Sequence, residues 1–212
     1  MTLPTLPTLS KNGGRIRADL QLVADLVPAG VRVLDVGCGE GALLHHLAQT
    51  KNVDARGIEL RQEGVNACVQ QGLSVVQGNA ETDLKDYPSD AFDYVILSQT
   101  LQAMRDPRGT LGELLRIGKH AIISFDNFGH WAMRLGLMFE GRMPVADAPR
   151  HTWYDTGTIR PCTIRDFLTL CGDLGIEPER CFTVHGGGRT REVAPGSWRA
   201  RLTARQAVFL LK

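Results

Sequence analysis

Val31-Arg32-Val33-Leu34-Asp35-Val36-Gly37-Cys38-Gly39-Glu40-Gly41 is the stretch from which the rest of the chain can be read. A short apolar run that stops at glycines has the pattern of a strand buried on both faces of a parallel sheet. The glycines allow a sharp turn, let the backbone come close to a ligand, and aim N–H groups at it as a helix opens. That helix runs from about Glu40 to Ala48, with Leu43, Leu44 and Leu47 on one face. Upstream, Ile16, Leu20, Val23, Ala24 and Val27 recur at helical spacing, and Pro28-Ala29-Gly30 closes that helix.

Downstream the alternation continues. Asp54 to Glu59 reads as a strand, and Arg61 to Gln71 as a helix with Val65, Cys68 and Val69 inward. Strands follow at Leu73 to Gln77, Phe92 to Leu97 and His120 to Phe125. Pro107 opens the intervening helix at a position where a missing N–H costs nothing. Strands and helices alternating at these lengths imply an α/β protein with an open parallel sheet covered on both faces. From 127 to 161 the rhythm breaks in an insertion rich in Trp, Arg, Met and Pro, with one short helix near His130 to Phe139. Thr163-Ile164-Arg165-Asp166 is a capping box opening a further helix that buries Phe167, Leu170, Cys171 and Leu174. The last strands lie near Arg180 to His185 and Gln206 to Leu211. Between them, Gly186 to Thr203 reads as a Gly- and Arg-rich mobile loop.

The 212 residues suit one domain, taken as 15–212 behind a loose tail over 1–14. A formal net charge of +1 gives no support for a nucleic-acid or anionic-membrane surface. The start lacks the basic and long apolar regions of a signal peptide. Five scattered cysteines without a C-x-x-C pair fit neither a disulfide framework nor a metal site. A reducing cytoplasm is the simplest expectation.

Glu59 ends the second strand roughly 20 residues beyond the glycines, where a carboxylate can hold two ribose hydroxyls, with Leu60 beside it. Gly37, Gly39 and Ala42 also satisfy G-x-G-x-x-A, the dinucleotide pattern. Three details favour S-adenosylmethionine or S-adenosylhomocysteine over a nicotinamide cofactor. Asp35, inside an apolar strand, suits the ammonium group of a bound amino acid and would repel a pyrophosphate. Asn79 and Ala80 follow the third strand where an adenine edge would lie, and the Asn amide can both accept and donate there. Ser98 ends the fourth strand on the same carboxyl edge. Cys38 reads as a small filler of a tight turn, although a helix N-terminus can lower a thiol pKa.

This constellation resembles the class I methyltransferases over roughly 15–125 and the last two strands. That resemblance implies a doubly wound, seven-stranded, mostly parallel sheet whose final strand is antiparallel. Longer words are similar to the methionine-biosynthesis family MetW. They are Val95 to Ala103 with Arg105-Asp106-Pro107, Asn127 to Trp131 with Arg134 and Gly141 to Val145, and Trp153 to Thr156 with Cys162-Thr163 and Asp166-Phe167. Arg17, Asp19 and Leu20 extend the match towards the start. The chain departs from the family at 157–160, reading Gly-Thr-Ile-Arg where Pro-Asn-Ile-His is common. The resemblance implies an accessory role in methionine biosynthesis beside a homoserine O-acyltransferase.

The alternative is an active methyltransferase on an unidentified small molecule. Methyl transfer needs the acceptor held in line with the sulfonium carbon and, for a poorly acidic acceptor, a general base. Ser98-Gln99-Thr100-Leu101 offers neither carboxylate nor histidine, and no catalytic residue is assigned. Contacts to an acceptor or a partner therefore fall to the insertion: His130, Trp131, Arg134, Arg142, His151, Trp153, Tyr154 and Asp155, with Asp126 the best-placed acid. Trp131, Met133 and Leu137 read first as a packing face. Trp, Tyr and Arg equally suit an interface.

Overall fold

The computed structural model describes residues 16–146 and 152–212; the predicted tail and His151 lie outside them. Helices and strands alternate as expected, with one short helix, α4, beyond those expected: α1 (Ala18–Leu26), β1 (Arg32–Val36), α2 (Ala42–Lys51), β2 (Asp54–Glu59), α3 (Gln62–Gln70), β3 (Ser74–Gln77), α4 (Ala80–Asp83), β4 (Phe92–Ser98), α5 (Pro107–Ile117) and β5 (Gly118–Asp126). After them come α6 (Trp131–Glu140), α7 (Ile164–Asp173), β6 (Pro178–Val184), β7 (Thr190–Glu192), α8 (Trp198–Thr203) and β8 (Gln206–Leu211). One sheet runs β3-β2-β1-β4-β5-β8-β6-β7. Strands β1 to β5 pair in parallel, while β8 lies antiparallel between β5 and β6.

Alternate side chains of the central strands feed two cores. Val33, Ile96, Ile122 and Val208 face one way, packing with Leu22 and Val23 of α1 and Leu43 and Leu47 of α2. Leu34, Val95, Leu97, Ile123 and Phe209 face the other, against Leu111 and Leu114 of α5 and Phe167 of α7. The period-two alternation explains why the strands read as unbroken apolar runs: neither face meets water. Phe125, Phe167 and Phe209 form a buried triad with centroids 4.7–5.9 Å apart. Lys51 closes α1 by donating to the carbonyls of Ala24 and Val27. The capping box is formed, Thr163 Oγ1 accepting from Asp166 N while Asp166 accepts from Thr163 N.

The sheet has eight strands, one more than the resemblance implies. The extra strand β7 and the helix α8 occupy the stretch that reads as a mobile loop. All three residues of β7 are exposed, so it carries no hydrophobic signal, and it is held as an edge by its ladder to β6. Two smaller expectations also fail. Val69 is 58% exposed, because Gly64, Val65 and Cys68 form the inner face of α3. No residue of α6 is buried, so Trp131 and Leu137 do not form a packing face.

Among the described residues, no helix is long and apolar enough to cross a membrane.

Candidate functional site

The strand order reverses between β1 and β4, and crevices for ligands form at such switch points, beyond the carboxyl ends of the strands. Asp35 sits near the end of β1, only 3% exposed. Burial, and secondarily the charge of Glu59, push its carboxyl up from 3.8 to about 7. A buried acid in this state is stabilised as a carboxylate by a cationic group or hydrogen-bond donors placed against it.

The glycine loop is more self-contained than its sequence suggests. Gly37 N and Cys38 N donate to Ile58 O, Gly39 N to Glu59 Oε2 at 2.9 Å, and Gly41 N to Cys38 O. These N–H groups are therefore not a free cradle for an anion, which corrects the expectation that they aim at the ligand. What the glycines supply is room. At Gly37 (φ +74°) a Cβ would lie 2.8 Å from Thr100, and at Gly41 (φ +81°) 2.5 Å from Leu73.

Glu59, 6% exposed, braces this arrangement from β2. Its Oε1 accepts from Arg61 N and its Oε2 from Gly39 N. Gly64 of α3 makes that contact possible, since a Cβ there would meet Gly39 O at 2.8 Å and Glu59 Cγ at 2.9 Å. Sequence reading passed over Gly64; its one signal is a glycine inside an otherwise helical pattern. Leu60 follows, 62% exposed, at the mouth. Burial first, then the charge of Asp35, push the Cys38 thiol above its usual range, the opposite of an activated thiol.

After β3, Asn79 caps α4, its Oδ1 accepting from Glu81 N at 3.0 Å, with Ala80 as the first helical residue. One lone pair of that side-chain oxygen is thus engaged within the helix cap, and no hydrogen bond from the amide NH2 is made among the described residues. Glu81 in turn accepts from Arg105 N and Asp106 N, tying α4 to the start of α5. At the end of β4, Ser98 Oγ lies 3.0 Å from Ser124 Oγ. The next residue, Gln99, has left-handed backbone (φ +54°), and its Nε2 is buried with no partner among the described residues. Non-glycine residues held this way concentrate at functional sites; nothing in the sequence reveals it.

The insertion is rooted on two buried residues. Gln102, 5% exposed, donates through Nε2 to Asp126 O, and its backbone carbonyl accepts from Ile159 N and Arg160 N. Asn127, 1% exposed, donates to Arg201 O and Ala204 O and accepts from Gly129 N and Ile164 N. The separate sequence words that suggested MetW thus meet in space through Gln102 and Asn127. Of the predicted contact residues, Arg134 turns back onto Gly129 O, and Asp155 accepts from Thr152 N. Arg142 is exposed, and Trp131, Trp153 and Tyr154 are 50%, 70% and 73% exposed. No hydrogen bond joins Trp131, Arg134, Arg142, Trp153 or Tyr154 to Asp35, Glu59 or the glycine loop among the described residues.

Comparison with known proteins agrees with this architecture. Residues 17–211 match the family of methionine biosynthesis protein MetW. The chain belongs to that family. A bifunctional methionine biosynthesis protein MetXA/MetW from Rhodopirellula baltica is 36% identical over 170 residues, covering 76% of this chain but only 27% of that protein. Among solved structures, a S-adenosylmethionine-dependent methyltransferase from Thermotoga maritima, described as a possible histamine N-methyltransferase, matches with a TM-score of 0.68. It is 18% identical, with 92% of this chain and 87% of that chain covered. The [4+2]-cyclase SpnF matches with a TM-score of 0.64 at 18% identity, covering 95% and 85%. The methyltransferase fold is therefore shared by proteins described by different activities, and does not by itself fix a reaction.

Proposed function

We propose that this MetW-family chain binds S-adenosylmethionine or S-adenosylhomocysteine in the crevice at the ends of β1, β2 and β4, and acts as a ligand-responsive partner of a homoserine O-acyltransferase. The observation that carries the ligand reading is the pair of buried carboxylates, Asp35 and Glu59, around a loop in which the N–H groups of Gly37, Cys38, Gly39 and Gly41 are already engaged. That donor set disfavours a pyrophosphate and suits a ligand with an ammonium group and ribose hydroxyls. Asp35 would hold the ammonium, Glu59 the hydroxyls, Gly37 and Gly39 the space, and Asn79 the adenine edge. When bound, S-adenosylmethionine supplies an activated methyl group; the residues at the end of β4 include no general base.

The partner reading draws on the MetXA/MetW relative, in which a MetW portion shares one chain with a second named unit. Because S-adenosylmethionine is made from methionine, occupancy of the crevice would report pathway output to the acyltransferase. This requires the ligand to favour one partner-bound state over another. Calorimetric titration with both ligands, with and without the acyltransferase, is the test, followed by acyltransferase kinetics in the complex. Coupled binding and altered kinetics are expected. Equal kinetics with and without ligand overturn the regulatory reading, and steady consumption of S-adenosylmethionine with a small-molecule acceptor favours an active methyltransferase.

A further inference from the structure

Helix α6 is ten residues long, and none is buried. Isolated helices shorter than about 12–15 residues are marginal in water and take their stability from packing an apolar face. Such a face exists here. Trp131, Leu135 and Met138 recur at i, i+4 and i+7, 50%, 41% and 66% exposed, and Phe139 beside them is 75% exposed. The helix is tied down at its start, where His130 N donates to Asn127 O, His130 Nδ1 accepts from Ala132 N, and Arg134 reaches Gly129 O. Trp153 and Tyr154 belong to a segment rooted on the same edge of the sheet through Gln102.

We infer that the exposed face of α6 is the surface on which the homoserine O-acyltransferase docks. This rests on the partner reading above. The chemistry of the face selects a protein occupant. A helix lying on a membrane needs a strongly charged polar side, whereas α6 carries one Arg and one Glu. Aromatic residues, Met and Arg are the types enriched at protein interfaces. The specific occupant is argued from the relative in which MetXA and MetW portions share a chain. A fusion of that kind keeps the second unit beside the first, which points to the same unit as the occupant here.

The experiment mixes the full chain with a purified homoserine O-acetyltransferase and measures affinity by calorimetry and complex mass by light scattering. Two variants are compared with the native chain, the double substitution Leu135→Glu/Met138→Glu and the single Phe139→Arg. The latter lies at a site too exposed to affect folding. S-adenosylmethionine titration and far-ultraviolet circular dichroism serve as controls on the crevice and the fold. The expected result is a loss of about 30-fold or more in partner affinity, the scale of a hot-spot residue, with ligand affinity unchanged. Undiminished partner affinity in both folded variants overturns the surface and leaves the partner reading standing. Failure of the native chain to associate overturns both. A native homodimer that the same substitutions dissolve overturns the proposal in favour of a second copy of this chain.

Discussion

Replacing Asp35 with Asn should make the ligand-free protein more stable at alkaline pH while weakening its hold on S-adenosylmethionine. The native carboxyl is 3% exposed, and burial, followed by repulsion from Glu59, raises its pKa from 3.8 to about 7. Full ionisation in the folded state therefore costs about 4 kcal/mol relative to the unfolded chain. The folded state binds the proton more tightly, so this contribution is fully present below about pH 4. It drains away as the pH rises towards 7 and is flat above that. Between pH 5 and pH 8 the native protein should lose about 3 kcal/mol that Asp35→Asn does not lose. Comparing the two proteins at both pH values cancels the fixed cost of burying an amide, which is about 1–3 kcal/mol if its donors stay unpaired. Urea unfolding followed by circular dichroism at the two pH values gives the four free energies. Parallel pH dependences in the two proteins would refute the claim that Asp35 is a strained buried acid. Ligand supplies the second readout, since saturation at 100 times Kd stabilises a protein by about 2.7 kcal/mol. That stabilisation should appear in the native chain and shrink in the variant; an equal effect in both would remove Asp35 from the site.

Glu59→Gln should weaken S-adenosylmethionine binding roughly 10- to 100-fold, the scale of a lost charge-assisted hydrogen bond, and calorimetry would read it directly. Gly64→Val should perturb the same site from beneath, because its side chain would collide with Gly39 O and Glu59. A stability loss of about 1–3 kcal/mol is expected, with a ligand affinity that falls further than in a surface control such as Gln70→Ala. Asn127→Ala should cost about 3–5 kcal/mol by stripping partners from four buried or half-buried backbone groups. Its melting temperature should drop by roughly 6–20 °C at this chain length, and a drop under 2 °C would show that water replaces the amide.

The parts of this fold that can be read from sequence are those in which one local pattern dominates the energetics. β1, β4, β5 and β8 carry apolar runs because both faces of the sheet are covered there, and Pro107 and the Thr163–Asp166 box mark helix starts by local chemistry alone. The carboxylates Asp35 and Glu59 could be singled out because a charge in or at the end of a buried strand must meet a partner, whether backbone donors, as at Glu59, or a ligand. What the sequence hides is long-range geometry. β7 is a strand only because β6 offers it an edge, and Gly64 matters only because α3 lies under the glycine loop. The N–H groups of Gly37, Cys38 and Gly39 look available in a linear reading, yet Ile58 and Glu59, some 20 residues away, have already claimed them. The same engagement bears on function. On the function proposed above, a loop whose donors are largely engaged presents little positive potential, so recognition would pass to the carboxylates behind it and favour a ligand with a cationic head. The glycine pattern shared with dinucleotide-binding folds would then serve a different charge, with Asp35, two positions before the first glycine, as the deciding residue.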